Sequence, residues 1–241
     1  MPNLTLMLDY VAALRELMDL NIPDPVTVSQ MAELAGVDGV AVYLREDRRH
    51  IQERDVRLLR QTVQSRLILH MAATSEMMGI ALDVKPERVV LMPEIRSETS
   101  DLSPGSLDLV VQGKELFETI DTLQSNNISV GVCIAARPEQ AKIAHQLRAD
   151  WVQIHAGSLI TARSAAKQRQ AWDSIVDTVK MAHKLRLQIA VGHGLDERLI
   201  KLFKGIGEID EFSLGRSILA KAMVVGLEKA VQQMVGLIYA L

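Results

Sequence analysis

Short apolar runs alternate with longer amphipathic stretches from one end of the chain to the other. The apolar runs predict eight β-strands, at residues 4–8, 37–44, 66–72, 87–93, 127–135, 150–156, 186–194 and 209–215. Most of these runs are continuously apolar rather than alternating, which is typical of strands that are buried on both faces. The pattern therefore predicts a parallel sheet that is covered by helices.

A stretch with helical spacing of its apolar positions follows each predicted strand. These helices are predicted at residues 25–36, 54–64, 75–84, 107–125, 138–147, 165–184, 195–204 and 217–239. Eight strand–helix units without a linker or composition break favour an α/β fold with one (β/α)₈ TIM barrel domain over residues 1–241. A doubly wound open sheet is the alternative, and it is weakened because no G-x-G-x-x-G follows the first strand.

Composition narrows the classes of protein that fit this fold. Aromatic residues make up only 3%, so the core must be built from aliphatic side chains and methionine. The net charge of −3 gives no reason to expect a nucleic-acid or membrane-surface partner. No apolar run reaches the roughly 18 residues of a membrane span. The single cysteine, Cys133, lies in an apolar run and fits a core position in a reducing cytoplasm.

Known metal and cofactor motifs do not occur in the sequence. One cysteine and no H-E-x-x-H argue against a zinc site, and neither a P-loop nor a G-x-S-x-G is found. We therefore expect neither a metal nor an organic cofactor.

Polar and ionisable residues gather where the predicted strands end. In a (β/α)₈ barrel the active site lies at the carboxyl ends of the strands, so these residues predict a polar cavity at one mouth. The strand-end residues are Asp9, Tyr10, Tyr43, Arg45, His70, Gln153, His155, His193, Gly215 and Arg216. The polar stretch from Glu94 to Gly105, which contains Ser100, is a candidate ligand loop.

Two segments have the chemistry of phosphate sites. The run LREDRRHI at 44–51 places Arg45 and His50 after the second strand, where guanidinium and imidazole groups can hold a phosphate. A solvated charged loop with internal ion pairs is the alternative. Gly194 and Gly215 follow the seventh and eighth strands, the usual phosphate position in such barrels, although they could be turn glycines only.

Several motifs resemble a known family over almost the whole chain. They are PDPV at 23–26, LREDRRHI at 44–51, RDVRLLRQT at 54–62, PE at 93–94, IHAG at 154–157 and GHGL at 192–195. Together they resemble the pyridoxine 5'-phosphate synthases of vitamin B6 biosynthesis. The resemblance implies a (β/α)₈ barrel with extra helices that assembles as a homo-octamer. It also implies condensation of 1-deoxy-D-xylulose 5-phosphate with 3-amino-2-oxopropyl phosphate, giving pyridoxine 5'-phosphate, phosphate and water.

The resemblance assigns roles to residues that match the family pattern. It implies that Asp9, Arg45 and His50 bind the deoxyxylulose phosphate, and that Ser100 falls near a threonine with the same role. His193 matches the family's proton donor. Two glycines match positions that hold the aminooxopropyl phosphate, namely Gly194 and Gly215.

Other site positions depart from the family pattern. Among the ligand-binding positions, Met7 replaces an asparagine, Met18 replaces an arginine, and Tyr10 and Arg216 each replace a histidine. In the family pattern, the positions of Met7, Met18 and Arg216 bind or lie beside the second phosphate. We expect the deoxyxylulose-phosphate half of the site to be kept and the amine half to be rebuilt.

The implied catalytic positions have changed as well. Tyr43 replaces a histidine that acts as general base, and His70 replaces a glutamate that acts as a second base. Gln153 replaces a glutamate that assists the transition state. A tyrosine with a pKa near 10 is a poor base at neutral pH, so we expect low synthase activity.

Three functions stay open from the sequence. The chain is a working synthase with substituted groups, an enzyme for another phosphorylated sugar or ketone, or a paralogue that only binds a phosphorylated ligand or modifies the assembly of a true synthase.

Overall fold

A closed barrel of eight parallel strands forms the centre of the molecule. The computed structural model describes residues 1–94 and 105–241. Each strand pairs with its neighbours in chain order, and β1 closes the barrel against β8. The strands are β1 Asn3–Met7, β2 Gly39–Tyr43, β3 Leu67–Ala72, β4 Arg88–Met92, β5 Ser129–Ala135, β6 Trp151–His155, β7 Gln188–Gly192 and β8 Glu211–Leu214. The predicted (β/α)₈ fold class is confirmed.

Helices surround the barrel and cover the outer face of the strands. They are α1 Asp9–Met18, α2 Pro25–Ala35, α3 Glu53–Thr62, α4 Ser75–Val84, α5 Leu109–Ser125, α6 Pro138–Gln146, α7 Gly157–Thr161, α8 Ala165–Lys184, α9 Glu197–Ile200, α10 Arg216–Val225 and α11 Leu227–Tyr239. A short 3₁₀ helix, Lys201–Phe203, follows α9. The helical spacing of the sequence placed α2, α4 and α8 to within one residue.

Three local predictions were wrong. The chain turns into helix α1 at Asp9, so Asp9 and Tyr10 begin a helix instead of ending the first strand. A short helix, α7, was not expected after the sixth strand. The predicted final helix is two helices, because Gly226 adopts a φ of 87° that ends α10 and starts α11.

Side chains of the strands alternate between the barrel interior and the helices. The inward set is a separate cluster of buried residues: Met7, Ala41, Tyr43, Ile68, Val90, Met92, Cys133, Trp151 and Ala190. Trp151, the first residue of β6, is the largest of these side chains and is 1% exposed. The facing Gly131 leaves room for its ring, since a Cβ at that position would lie 2.4 Å from the indole. A glycine on β5 therefore makes space for a tryptophan on β6.

The amino-terminal end of the barrel is closed by a buried charge network. The Glu211 carboxylate accepts a hydrogen bond of 2.8 Å from Thr5, and Arg66 and Arg88 each lie 3.5 Å from its other oxygen. Polar groups at this end of a TIM barrel contribute to stability rather than catalysis. The chemistry is therefore expected at the opposite mouth.

Candidate active site

The carboxyl ends of β1, β6, β7 and β8 and the segments after them line a small cavity of about 260 Å³. Its wall combines imidazole, phenol and guanidinium groups with glycines and apolar side chains. The lining residues are Met7, Tyr10, His155, Gly157, Ile160, Thr161, His193, Gly194, Leu195, Ser213, Gly215 and Arg216. This volume suits a ligand smaller than a typical drug-sized molecule, for which pockets of roughly 300–1,000 Å³ are usual.

His193 is the most enclosed ionisable residue of the cavity wall. Its Nε2 lies 3.1 Å from the amide nitrogen of Gln153 and 3.7 Å from Cys133 Sγ. The ring stacks on His155 with 4.4 Å between centroids. Burial lowers the pKa of His193 well below its usual value, and nearby His155 and His70 lower it further. His193 is therefore neutral at physiological pH.

His70 lies deeper in the barrel, 6.3 Å from His193 between ring centroids. Neither ring nitrogen has a hydrogen-bond partner among residues 1–94 and 105–241, and burial lowers the pKa of His70 to about 3. Buried polar atoms in native proteins nearly always have a partner, which is often ordered water or a ligand. His70 is thus a neutral imidazole that can still accept or donate one hydrogen bond to a bound molecule.

Asp9 and Tyr43 are joined where β1 and β2 end. One carboxylate oxygen of Asp9 accepts a 2.6 Å hydrogen bond from the backbone N–H of Tyr43, and the other is buried with no partner in the part of the chain that the structure describes. Burial raises the pKa of Asp9 to about 6. The Tyr43 hydroxyl donates to the carbonyl of Pro93 at 3.1 Å, and burial raises its pKa above the usual value. Asp9, rather than Tyr43, is therefore the group poised to exchange a proton near neutral pH.

The two side chains of the predicted phosphate site, Arg45 and His50, each contact a carboxylate. Arg45 is almost fully buried and donates from Nε and Nη2 to both oxygens of Asp47, at 2.9 and 2.5 Å. Imidazole Nδ1 and the backbone N–H of His50 both contact Glu16, at 2.5 and 3.0 Å. A phosphate that binds Arg45 and His50 must therefore compete with Asp47 and Glu16.

Glycines bring the backbone close to the cavity beside Arg216. Helix α10 begins at Arg216, directly after Gly215, so its first backbone N–H groups and dipole favour an anion. Gly194 has a φ of 87°, and a Cβ there would lie 2.3 Å from Ile160 and 3.5 Å from the Arg216 guanidinium. Only a glycine fits this approach.

The structure brings some predicted site residues together and separates others. Tyr10, His193, Gly194, Gly215 and Arg216 line the same cavity. His50 instead lines a separate groove of about 780 Å³, beside Arg48, Arg49 and Arg54. Met18, at the end of α1, is half exposed and lines neither space. Ser100 lies outside the described residues.

Cys133 was interpreted from the sequence as a core residue only, yet it contacts His193. The pleat of β5 offered a signal, because Cys133 is two residues beyond Gly131 and faces the same interior. His155 was noted at a strand end but not assigned a role. Its stacking on His193 depends on the left-handed backbone at His193, with a φ of 68°, which no spacing in the sequence predicts.

The described residues contain neither a metal-binding cluster nor a membrane-spanning helix. Within residues 1–94 and 105–241, no three histidine, cysteine, aspartate or glutamate side chains are grouped to hold a metal ion. No helix in the same ranges has the length and apolar character needed to cross a membrane.

Sequence comparison decides the family. The model of the pyridoxal phosphate biosynthesis protein PdxJ matches residues 4–240. The chain belongs to the PdxJ family. Similar relatives named pyridoxine 5'-phosphate synthase include that of Syntrophobacter fumaroxidans, 44% identical over 99% of both chains. The synthase of Desulfatibacillum aliphaticivorans is also 44% identical, over 98% of both chains. This PdxJ family member therefore matches its relatives along its whole length.

Solved structures of low sequence identity support the fold of this PdxJ family member. KGPDC from Streptococcus mutans matches with a TM-score of 0.63 and 15% identity, over 99% of this chain and 97% of the other. A monomeric form of phosphoribosylanthranilate isomerase from Thermotoga maritima matches with a TM-score of 0.62 and 11% identity, over the full length of both chains. These likenesses concern the barrel alone.

Proposed function

We propose that this PdxJ family member keeps the phosphate subsites of a pyridoxine 5'-phosphate synthase around a weakly basic proton-transfer centre. It would make pyridoxine 5'-phosphate slowly, and without a metal or organic cofactor. The observation that carries the proposal is the state of Tyr43: its hydroxyl donates to the Pro93 carbonyl, and its pKa is raised by burial. A phenol in this state cannot accept a proton from a substrate at neutral pH.

The first phosphate subsite uses Arg45 and His50. Arg45 donates from Nε and Nη2 to Asp47, and a guanidinium that exchanges this carboxylate for a phosphate can bind it through two parallel hydrogen bonds. The Nε2 of His50 is buried, and it can donate a hydrogen bond to an anion when it carries the ring proton. The family resemblance supports the assignment of this subsite to 1-deoxy-D-xylulose 5-phosphate. By the same resemblance we place Ser100 in this subsite.

The second phosphate subsite lies at the start of α10. Arg216, Gly194 and Gly215 line it, and Met7 and Tyr10 form the neighbouring wall. Arg216 supplies positive charge to this subsite, whereas Met18, where the resemblance implies an arginine, does not line the cavity. The subsite therefore suits a small monophosphate, although its contacts differ from those implied for 3-amino-2-oxopropyl phosphate.

Proton transfer falls to the few groups with suitable chemistry. Asp9 has a pKa of about 6 and an oxygen without a partner, so it can act as a base once ionised. His70 is neutral and has two unpartnered nitrogens, but a pKa of about 3 makes it a weak base. We propose Asp9 as the main base and His70 and His193 as hydrogen-bonding groups to the substrate oxygens.

The test is an assay of purified protein with both substrates. Formation of pyridoxine 5'-phosphate is expected roughly 10²- to 10⁴-fold below an ordinary turnover of about 1–10 s⁻¹. Calorimetry with 1-deoxy-D-xylulose 5-phosphate alone should show binding. Ordinary turnover would contradict the weak-base reading, and absence of binding would contradict the phosphate subsites.

A second candidate function is proton transfer on another phosphorylated ketone or sugar. The observation in its favour is the coexistence of two unpartnered buried groups, an oxygen of Asp9 and the ring of His70. Such a pair can move a proton between adjacent carbons of a substrate without a second reactant. Exchange of substrate protons with deuterated solvent, in the absence of an amine substrate, would distinguish this function from condensation.

Assembly and location are proposals that rest on family membership. We propose one barrel domain over residues 1–241, a homo-octamer and a cytoplasmic location. Sedimentation equilibrium of the purified chain tests the assembly.

A further inference from the structure

Three adjacent strands bring Cys133, Gln153 and His193 together inside the barrel. Cys133 is fully buried, and 1% of Gln153 and 8% of His193 are exposed. The Gln153 amide nitrogen lies 3.1 Å from His193 Nε2, and Cys133 Sγ lies 3.7 Å from the same atom. An amide nitrogen can donate a hydrogen bond but cannot accept one. With the amide nitrogen facing the ring, Nε2 is assigned as the acceptor in this contact, which places the imidazole proton on Nδ1.

We propose that Gln153 is a positioning residue that holds His193 as a neutral imidazole with its proton on Nδ1. Any hydrogen bond that His193 donates to a ligand in the cavity then comes from Nδ1. The inference rests on the proposed function for its relevance to substrate, but the protonation state can be read without any substrate.

The chemistry of residue 153 decides between two forms of His193. A glutamate, which the family resemblance implies here, would accept a hydrogen bond from a protonated Nε2 and stabilise the imidazolium. Glutamine offers a donor in its place, so it stabilises the unprotonated Nε2 and opposes the cation. One atom of the side chain thus determines whether His193 is a charged acid or a neutral hydrogen-bond donor.

The surroundings of His193 favour the neutral form. His155 stacks on one face of the ring, and His70 lies 6.3 Å away on the interior side. Backbone N–H of Gly157 donates to Nδ1 of His155 at 3.1 Å, so the neutral His155 ring carries its proton on Nε2. The Cys133 thiol is buried as well. A positive charge on His193 would be disfavoured by burial and by the neighbouring His155 and His70.

A neutral imidazole has a distinct role in a reaction. It is too weak an acid to give up its proton fully, but it polarises a carbonyl or phosphate oxygen by donating a hydrogen bond. We infer that His193 stabilises developing negative charge on the substrate and that another group supplies the transferred proton. The pH dependence of turnover should then lack a step from His193 near its ordinary pKa of about 6.5.

The experiment is ¹⁵N–¹H correlation of the histidine side chains in the full-length protein without ligand. The His193 signals are assigned by their loss in His193→Asn. In the wild type we expect a protonated Nδ1 and an unprotonated Nε2, unchanged from about pH 8 to about pH 5.5. In Gln153→Glu we expect a proton on both nitrogens at about pH 7.

Controls separate this role from a merely structural one. Gln140→Glu adds a carboxylate at another buried glutamine, whose Oε1 accepts from the backbone N–H of Leu109. It should leave the His193 signals as in the wild type. Cys133→Ser should also keep the proton on Nδ1, because Gln153 makes the closer contact. A wild-type spectrum with the proton on Nε2, or a neutral His193 in Gln153→Glu, would overturn the proposal. If Gln153→Glu does not fold, the wild-type spectrum alone decides.

Discussion

The carboxylate of Asp9 accepts a 2.6 Å hydrogen bond from the backbone N–H of Tyr43, and its second oxygen is buried without a partner. This contact ties the start of α1 to the end of β2. It also leaves an acid inside the barrel mouth whose pKa is raised to about 6 by burial. A group of this kind couples the stability of the fold to the chemistry of the site.

Asp9→Asn should stabilise the unliganded protein at neutral pH. The pKa of Asp9 is higher in the folded state than its usual 3.8, so the folded state binds more protons between about pH 4 and pH 6. The free energy of unfolding therefore falls as the pH rises through this range and stays lower above it. At about 1.4 kcal/mol per pKa unit, the cost at pH 7 is about 3 kcal/mol, and the neutral asparagine removes most of it.

Chemical denaturation of wild type and Asp9→Asn from about pH 4 to pH 8 measures this difference. The two proteins should converge near pH 4 and separate above pH 6, while the variant loses synthase activity. Asp83→Asn is the matched control, because Asp83 is an exposed partner of Arg57 and should change stability by less than about 0.5 kcal/mol. Parallel stability curves for wild type and Asp9→Asn would show that Asp9 has an ordinary pKa.

Arg45 and Asp47 should have opposite effects on phosphate binding. Arg45→Ala removes a charged donor and should weaken binding of 1-deoxy-D-xylulose 5-phosphate by about 1.5–3 kcal/mol. Asp47→Asn should strengthen binding roughly twofold to tenfold, because the phosphate no longer competes with a carboxylate for Arg45. Titration calorimetry at constant ionic strength measures both. Arg57→Ala, on the outer face of α3, should leave affinity unchanged. Weaker binding in Asp47→Asn would mean that Asp47 positions Arg45 instead of competing for it.

Most of the architecture could be predicted because periodicity reports burial. The predicted bounds of α8 and α4 agree with the structure, since caps at Ser164 and Thr74 add to the amphipathic pattern. Helix α1 was missed because its cap position, Leu8, makes no side-chain cap hydrogen bond and continues the apolar run of β1. Nothing in the residue pattern marked Gly226 as a break rather than a glycine tolerated within a helix.

The site could be predicted only in part. Strand ends indicated which residues share the mouth, because carboxyl ends of parallel strands meet there. They did not indicate that Asp47 pairs with Arg45 and that Glu16 contacts His50, since a charged loop has many possible ion pairs. Nor could the sequence show that burial raises the pKa of Asp9 to about 6, or that the Tyr43 hydroxyl donates to Pro93. Both effects depend on how the folded chain encloses these side chains.

Gly131 and Gly79 should respond oppositely to alanine. A Cβ at Gly131 would lie 2.4 Å from the Trp151 ring inside the barrel, so Gly131→Ala should destabilise the protein by about 1–3 kcal/mol or more. Gly79 lies in α4 with nothing within 4 Å of a new Cβ, so Gly79→Ala should stabilise it by about 0.5–1 kcal/mol. Denaturant midpoints measure both. Equal stability of Gly131→Ala and wild type would contradict the packing of Trp151.

The last prediction concerns recovery of catalysis. Tyr43→His, His70→Glu and Met18→Arg together should raise pyridoxine 5'-phosphate formation more than the product of the single effects. The reaction needs substrate binding and both proton transfers at once, so the three residues act as a unit and their effects are non-additive. Tyr43→His restores a base whose ordinary pKa is about 6.5, in place of a phenol whose hydroxyl donates to the Pro93 carbonyl. His70→Glu restores a second base, and Met18→Arg restores a cation for the second phosphate.

Kinetics of the three single variants, the double variants and the triple variant test this prediction. Met18→Arg alone should lower KM for the amine substrate with little change in kcat, because it affects binding rather than proton transfer. Tyr43→His alone should raise kcat only slightly while His70 stays neutral with a pKa of about 3. Leu34→Arg, which adds an arginine at an exposed residue of α2, controls for added surface charge. If the triple variant is no faster than the best single one, the slow step lies outside these positions, and Gln153 becomes the first residue to exchange.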